Sequence, residues 1–469
     1  MVALTPTSSN FSLVTCFRVV TSMGVLGLAG CSTYTSSPIT DESVNQALAQ
    51  KPLESISVQL SELNHPLIQP IVIQAGQAYT PDELAVMSVV LSPELKALRD
   101  QNKVAESQVI QAGLLPNPQL GYSVDKPTEV YDPAVTAAKN LNISYDLVAL
   151  LTHHDLHAAA KEAAKSVNLS VAWQEWQYAQ ATRVSAYRIL SLQQRLPSAR
   201  LIEKDLQASL AESKTALEKG YQTSIDVATL STAYNQARSV RFDMEQQLLA
   251  ERSFLNLCLG RNPTEIVPIK AVSDIAVDDI GSVTDGALEK SRLDLVALKA
   301  GYSSQDYALR AAVKSQFPRI GIQVNKANDT TPISTRGLAV NFDIPIFDRN
   351  QGQIAIAQAT RQQLFDEYVA RVAEARSQVG QLNAQINRVK VELASASEAY
   401  AQQEAIVNAL KKTGNNLDYQ VYRDSRSQLA NRFLELSALK QELLELVVAL
   451  EISTGKPLAS NHFTKSNSP

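Results

Sequence analysis

Residues 318–350, PRIGIQVNKANDTTPISTRGLAVNFDIPIFDRN, carry the pattern that best predicts the fold of this chain. Apolar residues alternate there with polar or small ones on both sides of a polar loop. The apolar positions are Ile320, Ile322, Val324, Leu338, Val340, Phe342 and Ile344. A period of two predicts two β-strands, each with one apolar face and one polar face. A single hairpin is only marginally stable in water, so these strands need further strands beside them.

The chain supplies a second copy of this pattern at residues 118–150. Pro118 stands 200 residues before Pro318, whereas Asp146 stands 197 residues before Asp343. The difference falls in the loop between the strands, where changes of length are tolerated best. The alternating apolar residues of this copy are Leu120, Tyr122, Val124, Leu141, Ile143, Tyr145 and Leu147. The sequence therefore predicts an internal duplication, with each half running helix, hairpin, helix, helix.

The predicted boundaries follow from this duplication. The first repeat covers 80–263 with its hairpin at 118–150, a lateral segment covers 264–290, the second repeat covers 291–457 with its hairpin at 318–347, and a polar, disordered tail covers 458–469.

Helix starts and ends carry clear capping signals. Thr80-Pro81-Asp82-Glu83 and Ser92-Pro93-Glu94 are typical of helix N-termini, and we expect Ser224 to cap a later helix. Gly220 and Gly455 are placed to end helices. These signals predict short helices before the first hairpin and long ones after each hairpin.

The helix lengths indicate how the paths are arranged. The helical pattern of 152–219 would form a rod about 100 Å long, with a kink expected at Pro197. The return path consists of two shorter helices, about 224–259 and 291–317. The second half repeats this with an outgoing helix at about 351–413. Each hairpin is thus predicted to stand on long antiparallel helices.

The first 30 residues are predicted to be an export signal, because Arg18 is their only charged side chain. Leu28-Ala29-Gly30-Cys31 resembles a bacterial lipobox, which predicts lipidation of Cys31; the alternative is an ordinary cleaved signal with a stray cysteine. Residues 31–79 are then a lipidated, irregular tether with one short helix. Ser32 after the cysteine favours the outer membrane, by resemblance to sorted lipoproteins.

Composition excludes several classes of function. The 469 residues include 43 Lys and Arg and 47 Asp and Glu, for a formal net charge of −4. Without a basic excess, nucleic acid is not expected as a partner. After the signal, no apolar run reaches the roughly 20 residues of a spanning helix. Cys258 lies in FLNLCLG and is expected to be a small core residue rather than a redox or metal group.

Four strands per chain cannot close a sheet on itself in lipid, where an open edge is not tolerated. Bacterial barrels have at least about 8 strands, so two or three copies are required. The Ala-rich helices suit close packing in a curved layer. The simplest expectation is a C3 ring in which each chain is one sector.

The chain from about residue 80 resembles the TolC-like outer membrane efflux proteins. The matching motifs are AGLLPNPQL (112–120), the turn built of Gly220, Tyr221, Ser224 and Asp226, RLDLVAL (292–298), FPRIGIQV (317–324) and IPIFDRNQGQI (344–354). The first half has Val148-Ala149-Leu150 in place of the Pro-x-Phe of residues 345–347. This difference changes the connection between strand and helix but not the topology.

The resemblance implies a mainly α fold with a small β part. Three chains would form a 12-stranded β-barrel in the outer membrane above a long periplasmic α-barrel. It also implies a periplasmic adaptor and an inner-membrane pump, of the RND type, as partners, and outer membrane lipid around the barrel. The chain is then expected in the outer membrane of a Gram-negative bacterium, lipid-anchored, with a long periplasmic part.

The resemblance also suggests a periplasmic gate of Asp and Tyr rings. The matching positions are Asp226, Asp418, Tyr422 and Asp424, with Arg423 and Arg426 as pairing partners. The alternative for the carboxylates is N-capping, and the two roles are compatible.

On the polar strand faces, Asp146 and Asp343 are predicted to face the lumen and to favour cations weakly; simple solvation is the alternative. Tyr122, Tyr145 and Phe342 are expected to face lipid or its interface.

No catalytic constellation is present in the sequence, so we expect neither an enzyme nor a cofactor. His153, His154 and His157 are weak metal candidates, since 153 and 157 share a helix face. No HExxH pattern accompanies them, and polar residues near the membrane boundary are the preferred interpretation.

Three functions compete at this point. The leading one is a passive exit duct for small molecules; the others are the duct of a type I protein-secretion system and a lipid-anchored coiled-coil scaffold without a pore. The paired hairpins favour a duct, because a scaffold would have no use for them. The sequence does not distinguish drugs, metal ions, solvents and polypeptides as substrates.

Overall fold

The computed structural model describes residues 33–49, 53–73, 77–128, 134–270, 285–331, 333–412 and 418–456. The predicted signal peptide, Cys31, most of the predicted lateral segment and the predicted tail lie outside the described residues. The chain divides into a unit of residues 1–49 and a unit of residues 50–469. The first unit contains α1 (Asp41–Leu48), which begins at Thr40 with a capping box to Ser43.

The second unit is mainly helical. Its helices before the first hairpin are α2 (Leu53–Ser61), α3 (Pro81–Leu91) and α4 (Pro93–Gly113), and those after it are α5 (Val148–Glu218) and α6 (Ser224–Cys258). The second half contributes α7 (Asp285–Ser291), α8 (Leu293–Lys314), α9 (Gln351–Lys412) and α10 (Tyr419–Thr454). The outgoing helices α5 and α9 have 71 and 62 residues. Pro197 lies inside α5, which continues through it.

Both hairpins form where they were predicted, and together they make one antiparallel sheet. The strands are β1 (Gln119–Asp125), β2 (Ala138–Asp146), β3 (Ile320–Asn328) and β4 (Ser334–Phe342), in the order β1-β2-β3-β4. The central pair β2–β3 joins the two halves, with Ile143 opposite Val324.

Most of the predicted caps are confirmed. The Thr80 hydroxyl accepts a hydrogen bond from the Glu83 backbone N–H, and the Glu83 carboxylate accepts one from the Thr80 backbone N–H. Ser92 caps α4. The prediction for Ser224 is wrong: Thr223 caps α6, in a capping box with Asp226. Ser224 is the first helical residue, because Thr223 has the extended backbone that a cap requires.

The return helices α6 and α10 each end at a glycine with positive φ, and each glycine approaches a helix junction of its own half. Gly260 (φ 59°) lies against Leu91 O and Pro93, between α3 and α4. Gly455 (φ 63°) lies so close to Ser291, between α7 and α8, that an added Cβ would be 2.6 Å from its carbonyl oxygen. Each return helix is thereby joined to the helix stacked on it.

The tether prediction is wrong for residues 53–73. These residues include α2 and belong to the main hydrophobic core, which also contains α3, α5 and α6. Ile56 and Leu60 of α2 are buried, and so is Ile71 beyond it. The reason is packing against partners more than 100 residues away, such as Trp176 of α5, which the local composition does not reveal.

The helices pack side by side in the same order as the strands to which they are connected. On the strand side, α4 packs on α5, α5 on α8 and α8 on α9. Beyond the junctions, α6 packs on α5, α5 on α10 and α10 on α9. The outer members are therefore α4 or α6 on one side and α9 on the other, just as β1 and β4 are the outer strands.

Candidate functional site

The middle of the sheet's polar face is lined by neutral side chains. One row runs Gly121, Asn142, Asn325 and Gly337 across the four strands. An added Cβ would lie 2.7 Å from Asn142 Oδ1 at Gly121 and 2.6 Å from Asn325 Oδ1 at Gly337. The two glycines therefore leave room for the amides. The adjacent row consists of Gln119, Ser144, Gln323 and Ala339. These rows offer hydrogen-bond donors and acceptors without charge, and the carboxylates of this face, Asp125 and Asp146, stand at its two ends.

The opposite face is apolar and exposed in the single chain. Leu120, Val324 and Leu338 share one row and are 70%, 58% and 72% exposed. Tyr122, Tyr145 and Phe342 lie on this face, as their alternation predicted. A surface of this kind requires an apolar environment, since large contiguous apolar patches are rare on soluble monomers.

Asp146 and Asp343 both lie at the helix end of the sheet. Asp146 shares a row with Gly321 and Asn341, and its Oδ1 accepts from the Val148 N–H at 2.9 Å, at the start of α5. Asp343 follows β4, and its backbone N–H donates to Arg319 O. The two residues line one cavity of about 630 Å³, together with Arg319 and Asp348. Asp146 thus also caps a helix; a place in a lumen remains a prediction for both.

The gate candidates begin two helices. Asp226 is exposed, and hydrogen bonds from Thr223 lower the pKa of its carboxyl below the ordinary value. Asp418 caps α10 by accepting from the N–H groups of Gln420 and Val421. The capping alternative therefore holds for both residues. The gate itself remains a prediction, and Asp424 is exposed on the first turns of α10.

Arg423 and Arg426 do not pair with these carboxylates. Arg423 pairs with Glu212 of α5, and Arg426 pairs with Asp205 of the same helix. The Arg426 guanidinium also lies over the Tyr422 ring, 5.5 Å from its centroid. The predicted pairing is wrong because the nearest carboxylates lie on the neighbouring α5 rather than on the arginines' own turn. These contacts hold the start of α10 against α5.

The three histidines cluster at the end of α4 without forming a metal site. His153 Nε2 is 3.0 Å from Gly113 O, and the His153 and His157 ring centroids are 6.0 Å apart. Burial, then Lys161, lowers the pKa of His157. Among the described residues, no group of three or more His, Cys, Asp or Glu is placed to hold a metal. His154 is exposed, and the adjacent Asp155 pairs with Lys314.

The sequence reasoning missed a buried polar cluster between α3, α5 and α10. Arg183 pairs with Glu451 at 2.6 Å and with Asp82 at 2.7 Å. Burial alone would lower the pKa of Arg183, but Glu451, Tyr187 and Asp82 raise it above the ordinary value. Residues this far apart in the chain carry no spacing signal, so only the fold reveals the cluster.

Among the described residues, none of the helices combines the length and apolarity needed to cross a membrane. No protein-family model matches the chain. A search of curated proteins finds no match either.

Solved structures do match over nearly their whole length. The outer membrane protein VceC from Vibrio cholerae gives a TM-score of 0.62 at 15% identity, covering 80% of this chain and 96% of its own. The Campylobacter jejuni CmeC outer membrane channel gives 0.66 at 14%, with 91% and 95% covered. The Neisseria gonorrhoeae MtrE outer membrane channel gives 0.64 at 12%, with 84% and 96% covered.

These similarities, together with the sheet and the long helices, define the fold of an outer membrane channel. More particularly, the chain has the TolC-like fold.

Proposed function

We propose that this protein is the outer membrane exit duct of a tripartite efflux system, through which small molecules pass passively to the outside. The observation that carries the proposal is the four-stranded sheet with an exposed apolar face and a polar face whose middle rows are neutral. Such a sheet suits a wall between lipid and water. The TolC-like fold supports this use, and no catalytic step is needed for it.

The open edges support assembly from several copies. Within the described residues, β1 and β4 each have a single strand neighbour. An unpaired edge is not tolerated in lipid. Because helices α4, α6 and α9 are outermost on the same sides as β1 and β4, one contact between copies would cover strands and helices together. Three copies would give a homotrimer with a 12-stranded barrel above an α-barrel.

Matching junctions support an internal duplication. In each half a return helix ends at a glycine with positive φ that lies against the junction of two stacked helices. Each half also supplies one hairpin and one long outgoing helix. A ring of three chains would then contain six similar sectors.

The remaining proposals concern the two ends of the duct, its partners and its anchor. The turn region with Asp226, Asp418, Tyr422 and Asp424 is the proposed periplasmic gate, and Asp146 and Asp343 are proposed to face the lumen. Partners would be a periplasmic adaptor and an inner-membrane pump of the RND type. Lipidation at Cys31 would anchor the chain in the outer membrane; Cys31→Ser is then expected to keep assembly and weaken anchoring.

Imaging combined with conductance tests this proposal. We expect the detergent-solubilised protein to give three-fold particles with a tube about 100 Å long below a short barrel. We also expect it to conduct ions across a planar bilayer. Monomeric rods without conductance would contradict the duct and favour the scaffold.

A further inference from the structure

The apolar face of the sheet carries three charged side chains, and all three are basic. They are Lys139 of β2, Lys326 of β3 and Arg336 of β4. Each is exposed. Every other residue of this face is apolar, aromatic or neutral. We call these three residues the basic cluster.

The strand register brings the basic cluster together. Lys326 lies directly opposite Arg336 across the β3–β4 pair. Lys139 lies opposite Asn328, one same-face row further on, so it is a diagonal neighbour of Lys326. Residues opposite each other on adjacent strands have Cβ atoms roughly 5 Å apart, and like charges there destabilise a sheet. An anion between them would remove this repulsion.

The protein itself does not supply that anion within the described residues. In the part of the chain that the structure describes, none of the three cations makes an ion pair, in contrast to Arg99, Lys314 and Arg361. No carboxylate stands on this face of β1, β2, β3 or β4; Asp125 and Asp146 belong to the polar rows. The outward residues of β1 are Leu120, Tyr122 and Val124, so a second copy paired along β4 would bring no carboxylate from that strand either.

The position of the basic cluster along the strands narrows the choice of ligand. All three residues lie within three positions of the hairpin loops, at the end of the sheet away from the helices. The rows nearer the helices contain only apolar and aromatic side chains on this face, such as Tyr145, Ile322 and Val340. If the helices are periplasmic, as the proposed function requires, the loop end meets the outer leaflet.

We propose that Lys139, Lys326 and Arg336 bind the phosphate groups of an anionic glycolipid in the outer leaflet. Lysine and arginine near a membrane surface attract anionic headgroups, and the arginine fork matches a phosphate in two hydrogen bonds. The apolar rows beside the cluster would pack against the acyl chains of the same lipid. The inference rests on the proposed function, because it needs this face to be in lipid.

The test compares lipid binding by the assembled protein and its variants in detergent. The probes are bisphosphorylated lipid A and its dephosphorylated form, counted on the protein by native mass spectrometry. The test variant is Lys326→Gln with Arg336→Gln. The matched control is Arg319→Gln with Arg349→Gln, which removes the same charge at the helix end of the sheet. Both arginines there are exposed.

We expect the test variant to bind the phosphorylated lipid roughly tenfold or more weakly than the wild type. The control should stay within about twofold, and the dephosphorylated lipid should bind all proteins alike. Equal binding of both lipids by the wild type, or an equal loss in the control, would overturn the inference. Displacement by excess inorganic phosphate would also overturn it, since that would indicate a simple anion site.

Conductance separates this outcome from failure of the proposed function. The test variant should still assemble and conduct, because its substitutions are on the outward face. If the wild type conducts but shows no preference for phosphorylated lipid, only the glycolipid inference fails. If no assembly conducts, the duct and the inference fail together.

Discussion

The Nη1 atom of Arg183 lies 2.6 Å from Oε2 of Glu451, and both side chains are removed from solvent. The two residues are 268 positions apart in the chain. Gln180 Nε2 also donates to Glu451 Oε2. The pair therefore connects the outgoing helix of the first half to the return helix of the second.

Glu451→Ala is expected to destabilise the protein by about 3–5 kcal/mol, because it leaves a buried guanidinium without its main counter-charge. Thermal or denaturant unfolding of the solubilised protein measures this. The control is Glu442→Ala, which breaks the exposed pair between Arg388 and Glu442 and should cost less than about 1 kcal/mol. An equal loss of unfolding free energy in the two variants would show that burial does not make the Arg183–Glu451 pair more important than an exposed one.

His65 is expected to make stability depend on pH. Burial lowers its pKa to about 4, and its Nδ1 accepts from the N–H groups of Leu67 and Ile68, which a protonated ring cannot do. The unfolded chain binds a proton near pH 6.5, so the contribution is complete above that pH and is lost as the pH falls from about 6.5 towards 4. The total loss is on the order of 2–3 kcal/mol.

The His65 prediction is measured as melting temperature against pH for the wild type and His65→Gln. The variant should be less stable at neutral pH and should show a smaller loss between these pH values. Glu175 nearby has a pKa raised by burial and acts in the opposite sense, but it is present in both proteins. His154→Gln, at an exposed position, is the control, and a matching change in slope there would refute the assignment to His65.

Glycine substitutions should have opposite effects at two positions. Gly455→Ala is expected to cost more than about 2 kcal/mol, since its φ is 63° and the added Cβ would meet the Ser291 carbonyl at 2.6 Å. Gly380→Ala is expected to stabilise by about 0.5–1 kcal/mol, because it lies inside α9 with nothing within 4 Å of its Cβ. Unfolding of both variants checks this, and a neutral Gly455→Ala would show that the return helix can shift.

Asp418→Ala combined with Asp424→Ala is expected to raise channel conductance. Loss of the Asp418 cap should also cost about 1 kcal/mol and loosen the first turn of α10. Single-channel recording in planar bilayers measures the change. Thr223→Ala separates the two effects: it removes the N-cap of α6 but no gate carboxylate, so an equal rise there would trace the change to helix fraying rather than to the α10 residues.

The sequence predicted what depends on local chemistry. The alternation of Ile320, Ile322 and Val324 placed β3, and the capping signals at Thr80 and Ser92 placed two helices, because strand faces and caps are set within a few residues. It failed where distant contacts decide. The composition of residues 53–73 predicts a tether, although their isoleucines are buried in the core shared with α5.

The turn region shows the same division. The resemblance suggested Arg423 and Arg426 as partners of the gate carboxylates, whereas within the chain they pair with Glu212 and Asp205 of α5. Which carboxylate is nearest depends on how two helices are set against each other, and the sequence of one of them does not determine that. The basic cluster was likewise hidden, because only the register shows that Lys326 faces Arg336.

The uninterrupted α5 differs from the two stacks that pack on it, in which α6 meets α4 at Gly260 and α10 meets α8 at Gly455. An uninterrupted helix is stiff along its axis, so a push at one end reaches the other with little loss. A divided path can bend where its two rods meet. We therefore expect each stack to bend beside its glycine, whereas α5 would transmit a force along its whole length.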